Sequence, residues 1–124
     1  MVKPCLTLHF DIPITTLNDY VDAERSSRYK AAKIKQATTH KIALLTMSQT
    51  RERLTGLYDL IWTWNRKNSN HDPDNVFFSK KFILDGIVSA KVLPTDSRKN
   101  LRHSQDWIFT TGKESVVVSF VKVK

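Results

Sequence analysis

The sequence predicts an α+β fold, a small mixed sheet with two main helices laid on it. Three observations carry this. Strand-like and helix-like patterns alternate in the order β-α-β-α-β-β, which suits a sheet covered by helices. A length of 124 residues suits one domain, 1–124, with one modest core. Hydrophobic residues make up 40% of the chain, with only three Gly and four Pro, a balance unlike that of disordered segments.

The elements follow in order. Cys5 to Asp11 (CLTLHFD) alternates and is rich in β-formers, so it predicts a strand that Pro13 ends. Thr16-Leu17-Asn18-Asp19 is a capping-box variant with Asp in place of Glu. A long helix is expected from there to about Met47, since no Pro or Gly interrupts it. Its middle, Asp22 to Lys30, has almost no large apolar residues and should stand away from the core, against DNA or a second subunit. Leu57 to Trp64 (LYDLIWTW) predicts a strand with Tyr58, Leu60, Trp62 and Trp64 on one face, followed by a polar loop from Arg66 to Asn70. From Asp74 or Asn75 to Ala90 the pattern is helical; either residue can cap it, and Pro94 follows its end. Asp106–Thr110 and Ser115–Val123 predict a hairpin around Thr111-Gly112-Lys113.

Composition removes several classes of function. Cys5 is the single cysteine, which excludes an internal disulfide framework and a thiolate zinc site built from this chain alone. His9, His40, His71 and His103 lack zinc-site spacing. Met1 to Pro13 lacks the features of a signal peptide. No run approaches the ~20 apolar residues that span a bilayer. The expectation is a soluble, cytoplasmic protein.

The formal charge of +8 is unevenly spread. Arg25, Arg28, Lys30, Lys33, Lys35 and Lys41 form a block with no acid among them. Arg66 and Lys67 precede an acidic motif, and Arg98, Lys99 and Arg102 follow a later aspartate. A Lys-rich helix is ordinarily a solvated face. An acid-free block beside basic flanks around carboxylates points instead to nucleic acid. A membrane surface fits less well, because no neighbouring helix face carries aromatic anchors.

The acidic motif is Asp72-Pro73-Asp74-Asn75, with a third carboxylate in Leu93-Pro94-Thr95-Asp96-Ser97. Hard cations such as Mg²⁺ take oxygen ligands, keep several waters and accept substrate phosphates. Carboxylates in a basic chain therefore suggest a metal held against a polyanion, the arrangement of metal-assisted phosphodiester hydrolysis. On a helix starting near Asp74, the residues Asp74, Phe78, Lys81 and Asp85 share one stripe, while Lys80 points about 120° away. Helical side chains lean toward the N-terminus, so Lys81 could reach back toward the metal end and is a better candidate than Lys80. The structural alternative is a turn, for which Asp-Pro-Asp-Asn is a common composition. An EF-hand is excluded by Val76 and Phe77. His71 adjoins the motif and is a candidate phosphate contact.

These residues resemble the RusA family of Holliday junction resolvases. The resemblance rests on Asp72-Pro73-Asp74-Asn75, Lys81-Phe82-Ile83-Leu84-Asp85-Gly86-Ile87 and Val92-Leu93-Pro94-Thr95-Asp96-Ser97, within roughly Arg66 to Asn100. It implies a RusA-like, homodimeric fold and an Mg²⁺-dependent endonuclease, with Mn²⁺ as a substitute, that nicks branched four-way DNA symmetrically. It implies Asp72, Asp74 and Asp96 as metal-binding catalytic carboxylates and Lys81 as the catalytic lysine. Asn75 would shape the loop or cap the helix, and Asp85 matches a recurrent position that could also pair with Lys81 one turn away. Arg25, Arg28, Lys30, Lys33, Lys35, Arg66, Lys67, Arg98 and Lys99 are the expected DNA contacts. Two departures stand out: Thr95 occupies the first of two places that are often both acidic, and the Asn-to-Lys spacing is longer than in the shortest members. The resemblance also suggests a phage or prophage-like recombination system. Rival readings are a nuclease preferring flaps, forks or D-loops, a non-catalytic nucleic-acid-binding dimer, and a module whose basic helix meets an acidic protein.

Overall fold

A computed structural model describes residues 3–13 and 17–124. The elements are β1 (Leu6–Phe10), α1 (Leu17–Ser26), α2 (Arg28–Gln49), β2 (Tyr58–Arg66), α3 (Pro73–Phe77), α4 (Lys80–Ser89), β3 (Leu101–Thr110) and β4 (Ser115–Lys122). The architecture is α+β, with a four-stranded mixed sheet in the order β1-β4-β2-β3.

One face of the sheet is apolar and covered. Tyr58, Leu60, Trp62 and Trp64 alternate along β2 as expected and are buried beside Leu8 and Phe10 of β1 and Val116, Val118 and Phe120 of β4. Trp62 and Trp64 lie stacked, their ring centroids 5.3 Å apart. Ile42 of α2, Val76 of α3 and Ile83 and Ile87 of α4 close this core from the helical side. On the other face Thr7, His9, Ile61, Thr63, Asn65, Val117 and Ser119 remain half-buried or exposed.

The expected long helix is two helices. Ser27 breaks it, with extended backbone at φ −174° and a side-chain oxygen that accepts from the amides of Tyr29 and Lys30. Serine satisfies the open amides of a helix start in this way, so a polar residue inside a helical pattern acts as a stop. Asp22 to Lys30 does stand off the core, exposed or half-buried throughout. Thr16, the first residue of the expected capping box, lies outside the described residues.

The second helix is also divided, by a turn at Phe78-Ser79. Asp72 is the N-cap of α3, and its main-chain oxygen accepts from Asn75 and Val76. Its side chain makes no capping bond, and Pro73 follows in the first helical turn. Asn75 does not cap its own helix: its Oδ1 accepts from the Asn18 amide at 2.9 Å and ties α3 to α1.

The hairpin is the main correction. β3 begins earlier, at Leu101, and pairs parallel with β2, while β4 pairs antiparallel with the opposite side of β2. The two strands therefore clasp β2 between them, and the amides of Thr111 and Gly112 bond to the Arg66 carbonyl as the chain rounds its end. Gly112 takes φ +85° there, a left-handed value that favours glycine. The chain does bend at Gly112, but it crosses the end of β2, which takes the place between β3 and β4.

Candidate functional site

Lys81 is the centre of the candidate site. It stands on the first turn of α4 with its side chain 62% exposed, and its Nζ lies 2.6 Å from Asp96 Oδ2 and 3.0 Å from Asp85 Oδ1. The Asp85 contact is the i,i+4 pair that helix geometry favours. The Asp96 contact joins residues from α4 and from the loop that follows it. Hydrogen bonds, first to Asp96 and then to Asp85, push the Lys81 ammonium above its ordinary value, so it is a cation at neutral pH. The ion pairs of Lys81 are with these two carboxylates and not with Asp74.

The loop carrying Asp96 is built from short polar bonds. Thr95 Oγ1 donates to Asn100 Oδ1 at 2.8 Å and accepts from the Ser97 amide. Asn100, 8% exposed, donates its side-chain amide to the Gly56 carbonyl. Thr95 thus braces the loop at the place where the resembled family often carries another acid. Nothing in the local sequence pattern marked Asn100, whose partner is 44 residues away.

Lys80 is placed differently. Its ammonium lies 2.7 Å from Asp106 Oδ2 and over the rings of Phe77 and Trp62. Asp106 also accepts from Trp64 Nε1 at 3.0 Å. These half-buried groups latch α4 to β3 and leave Lys81 as the lysine that faces solvent. Asp106 was legible only as part of a strand, although an acid on the helix-facing side of a strand signals a buried partner.

Asp72 and Asp74 are exposed at the start of α3, and neither carboxylate has a hydrogen-bond or ion-pair partner among the described residues. Two unpaired oxygen donors fit a hard cation, which commonly takes one or two carboxylates and completes its shell with water and phosphate. Asp96 is held by Lys81, and among the described residues no three His, Cys, Asp or Glu side chains come together as a metal cage. Asp72 and Asp74 are therefore the residues that could hold a metal.

The basic residues divide in two groups. Arg25, Arg28, Lys30, Lys33, Lys35, Lys67, Arg98 and Lys99 are exposed. Lys33 sits over the ring of Tyr29, itself 67% exposed. Arg66 is not available as a DNA contact: it is buried, bonded to Glu114 at 2.7 Å and shares a bond with His71 Nδ1 at 3.3 Å. That contact gives His71 a structural partner beside the motif. An open groove of about 430 Å³ between α2 and α4 is lined by Lys35, Thr39, His40 and Asp85. It joins the basic helix to the Lys81 cluster on one surface.

A scan of the chain against family models and a search among curated proteins each find no match. No helix among the described residues is long and apolar enough to cross a membrane.

Proposed function

We propose that the chain is a metal-dependent, structure-specific DNA endonuclease that acts as a homodimer on four-way junctions, in the manner of the family it resembles. The observation that carries this is the meeting of Lys81 with Asp96 at 2.6 Å, which unites two separated parts of the motif. The groove that links this cluster to Lys35 supports it, because a backbone phosphate lying on α2 would have a path toward Lys81.

Asp72 and Asp74 would hold Mg²⁺ or Mn²⁺, which when bound polarises a phosphate and lowers the pKa of a coordinated water. The remaining chemistry belongs to the chain. Exposed cations on α1 and α2 bind the phosphate backbone and make affinity strongly salt-dependent. Lys81, charged and reachable from solvent, donates hydrogen bonds to a phosphate oxygen as negative charge develops on it. Asp85 and Asp96 keep its ammonium localised before substrate arrives.

The test is cleavage of a labelled four-way junction with Mg²⁺, Mn²⁺ or EDTA, beside a matched duplex and a flap. Paired symmetric nicks confined to the junction are expected. Asp74→Asn should lower the rate at least about a hundredfold, since changes to the outer partners of metal ligands already cost about 10–100-fold, while junction binding persists. Nicking by Asp74→Asn at the wild-type rate would refute the metal assignment. The pairing of Asp96 with Lys81 also favours a second reading, a non-catalytic junction-binding dimer in which these charges only stabilise the loop. Tight binding without nicking in any metal would select that reading, and preferential flap cleavage would select the flap nuclease.

A further inference from the structure

The two edges of the sheet are treated differently. β1 has five residues, and the Gln49 side chain lies against it like a short neighbouring strand: Oε1 accepts from the His9 amide and Nε2 donates to the His9 carbonyl, both at 2.7 Å. Pro13 follows it in the chain. β3 has ten residues, and among the described residues nothing pairs with its outer side. Proteins usually blunt such an edge with Lys, Pro, a bulge or an inward charge. β3 contains neither Lys nor Pro, and its register irregularity lies at its first residues, next to Tyr58/Asp59. Its one inward charge, Asp106, is neutralised by Lys80, and Arg102 is neutralised by Asp59.

The open edge is also apolar. Trp107, Ile108 and Phe109 are 51%, 37% and 50% exposed. Register with β2 puts Trp107 and Phe109 on the face of Thr63 and Asn65, and Ile108 on the opposite face with Trp64. The order aromatic, aliphatic, aromatic reads the same in both directions about Ile108. An isologous two-fold contact needs that property, because residue i must meet j while j meets i. A one-way peptide has no need of it.

We propose that β3 pairs antiparallel with β3 of a second copy, about a two-fold axis near Ile108, so that the two sheets become one. Trp107 of each copy then lies against Phe109 of the other, the kind of aromatic cross-strand pair that stabilises sheets. In a chain of charge +8, this locally neutral strip lets two copies approach. The exposed aromatic and Ile surface of both copies is on the order of 500 Å². The paired backbones and flanking side chains extend it toward the roughly 1,200 Å² where specific interfaces begin. The interface deepens the dimer part of the reading above and uses none of its nuclease part.

The test needs neither DNA nor metal. Light-scattering mass and amide exchange are measured on the wild type, on Trp107→Lys/Phe109→Lys, and on Leu44→Lys/Met47→Lys, which alters the exposed apolar pair on α2. A wild-type dimer, a two-fold lower mass for the β3 variant alone, and slow exchange of the outward amides between His103 and Thr110 are expected. If the β3 variant does not fold, wild-type exchange decides. A monomeric wild type into the high micromolar range, a β3 variant that stays dimeric, or fast outward amides in the dimer would overturn the interface. Absence of nicking in the separate junction-cleavage assay, with the wild-type dimer intact, would count against the nuclease reading instead.

Discussion

Gly86→Ala isolates the contact that sets α4 against α2. A Cβ at Gly86 falls 2.5 Å from both Cβ and Cγ2 of Ile42 and 2.9 Å from the Thr39 carbonyl oxygen. Carbon atoms rest at about 3.5–4.0 Å, so the helices must part by roughly 1 Å. Ile42, 1% exposed in the core, has no room to swing aside. Overpacking of this kind costs about 1–3 kcal/mol, whereas Gly→Ala within a helix gains about 1 kcal/mol. The net expectation is a loss of up to about 2 kcal/mol. Urea unfolding followed by tryptophan fluorescence should show a lower midpoint at unchanged slope. Asp85 adjoins Gly86 and should shift with the helix, so Lys81-dependent activity should fall more than stability alone explains. A midpoint above the wild type would refute the close approach of the two helices and the placement of Asp85 that depends on it.

Lys80→Ala should cost about 1–3 kcal/mol in urea unfolding, because it strips a half-buried carboxylate of its cation; a neutral result would remove the Lys80–Asp106 latch. Lys81→Ala should barely change stability, since an exposed pair is worth about 0–1 kcal/mol, but should slow nicking by about 10²–10³. The reverse order of the two lysines would exchange their roles. The Arg102 guanidinium, at 2.6 Å, holds Asp59 below its ordinary value of 3.8. Its folded value lies below the unfolded one, so its contribution is full above 3.8 and is lost as pH falls through the lower folded value. Carboxyl NMR titration should show Asp59 returning toward 3.8 in Arg102→Gln, and an unmoved midpoint would reject the pair. Neutralising Arg28 and Lys35 should weaken DNA binding and flatten its salt slope by about 0.9 per lost phosphate contact; an unchanged slope would place the DNA face elsewhere.

Much of the architecture was legible because local periodicity records burial. The β2 alternation, the exposed Asp22–Lys30 stretch and the pairing of Lys81 with Asp85 follow from residue spacing within one element. Features that depend on residues far apart in the chain were not legible. The inner position of β2 between β3 and β4 is a tertiary choice that turn chemistry at Thr111-Gly112 does not encode. Ser27 as a helix break was readable in principle, since a serine cap needs only its own neighbours. Arg66 looked like a free cation because Glu114, 48 residues away, is invisible to any local window. In the site, the sequence favoured Lys81 over Lys80, but the contact with Asp96 joins residues 15 apart and depends on a loop braced by Thr95, Ser97 and Asn100.

The position of β4 has a consequence for how the sheet is made. β4 is last of the strands in sequence yet lies between β1 and β2, and it pairs Leu6 with Phe120 and Leu60 with the same residue. A growing chain therefore emerges with both of those strands unpaired, and neither can complete its ladder until residues up to Lys122 have been made. Contacts spanning most of the chain place the costly loop closures ahead of their reward, which slows folding and lengthens exposure of unpaired edges. β1, synthesised first, waits longest for its partner, and the Trp-rich β2, synthesised near the midpoint, waits beside the same empty lane.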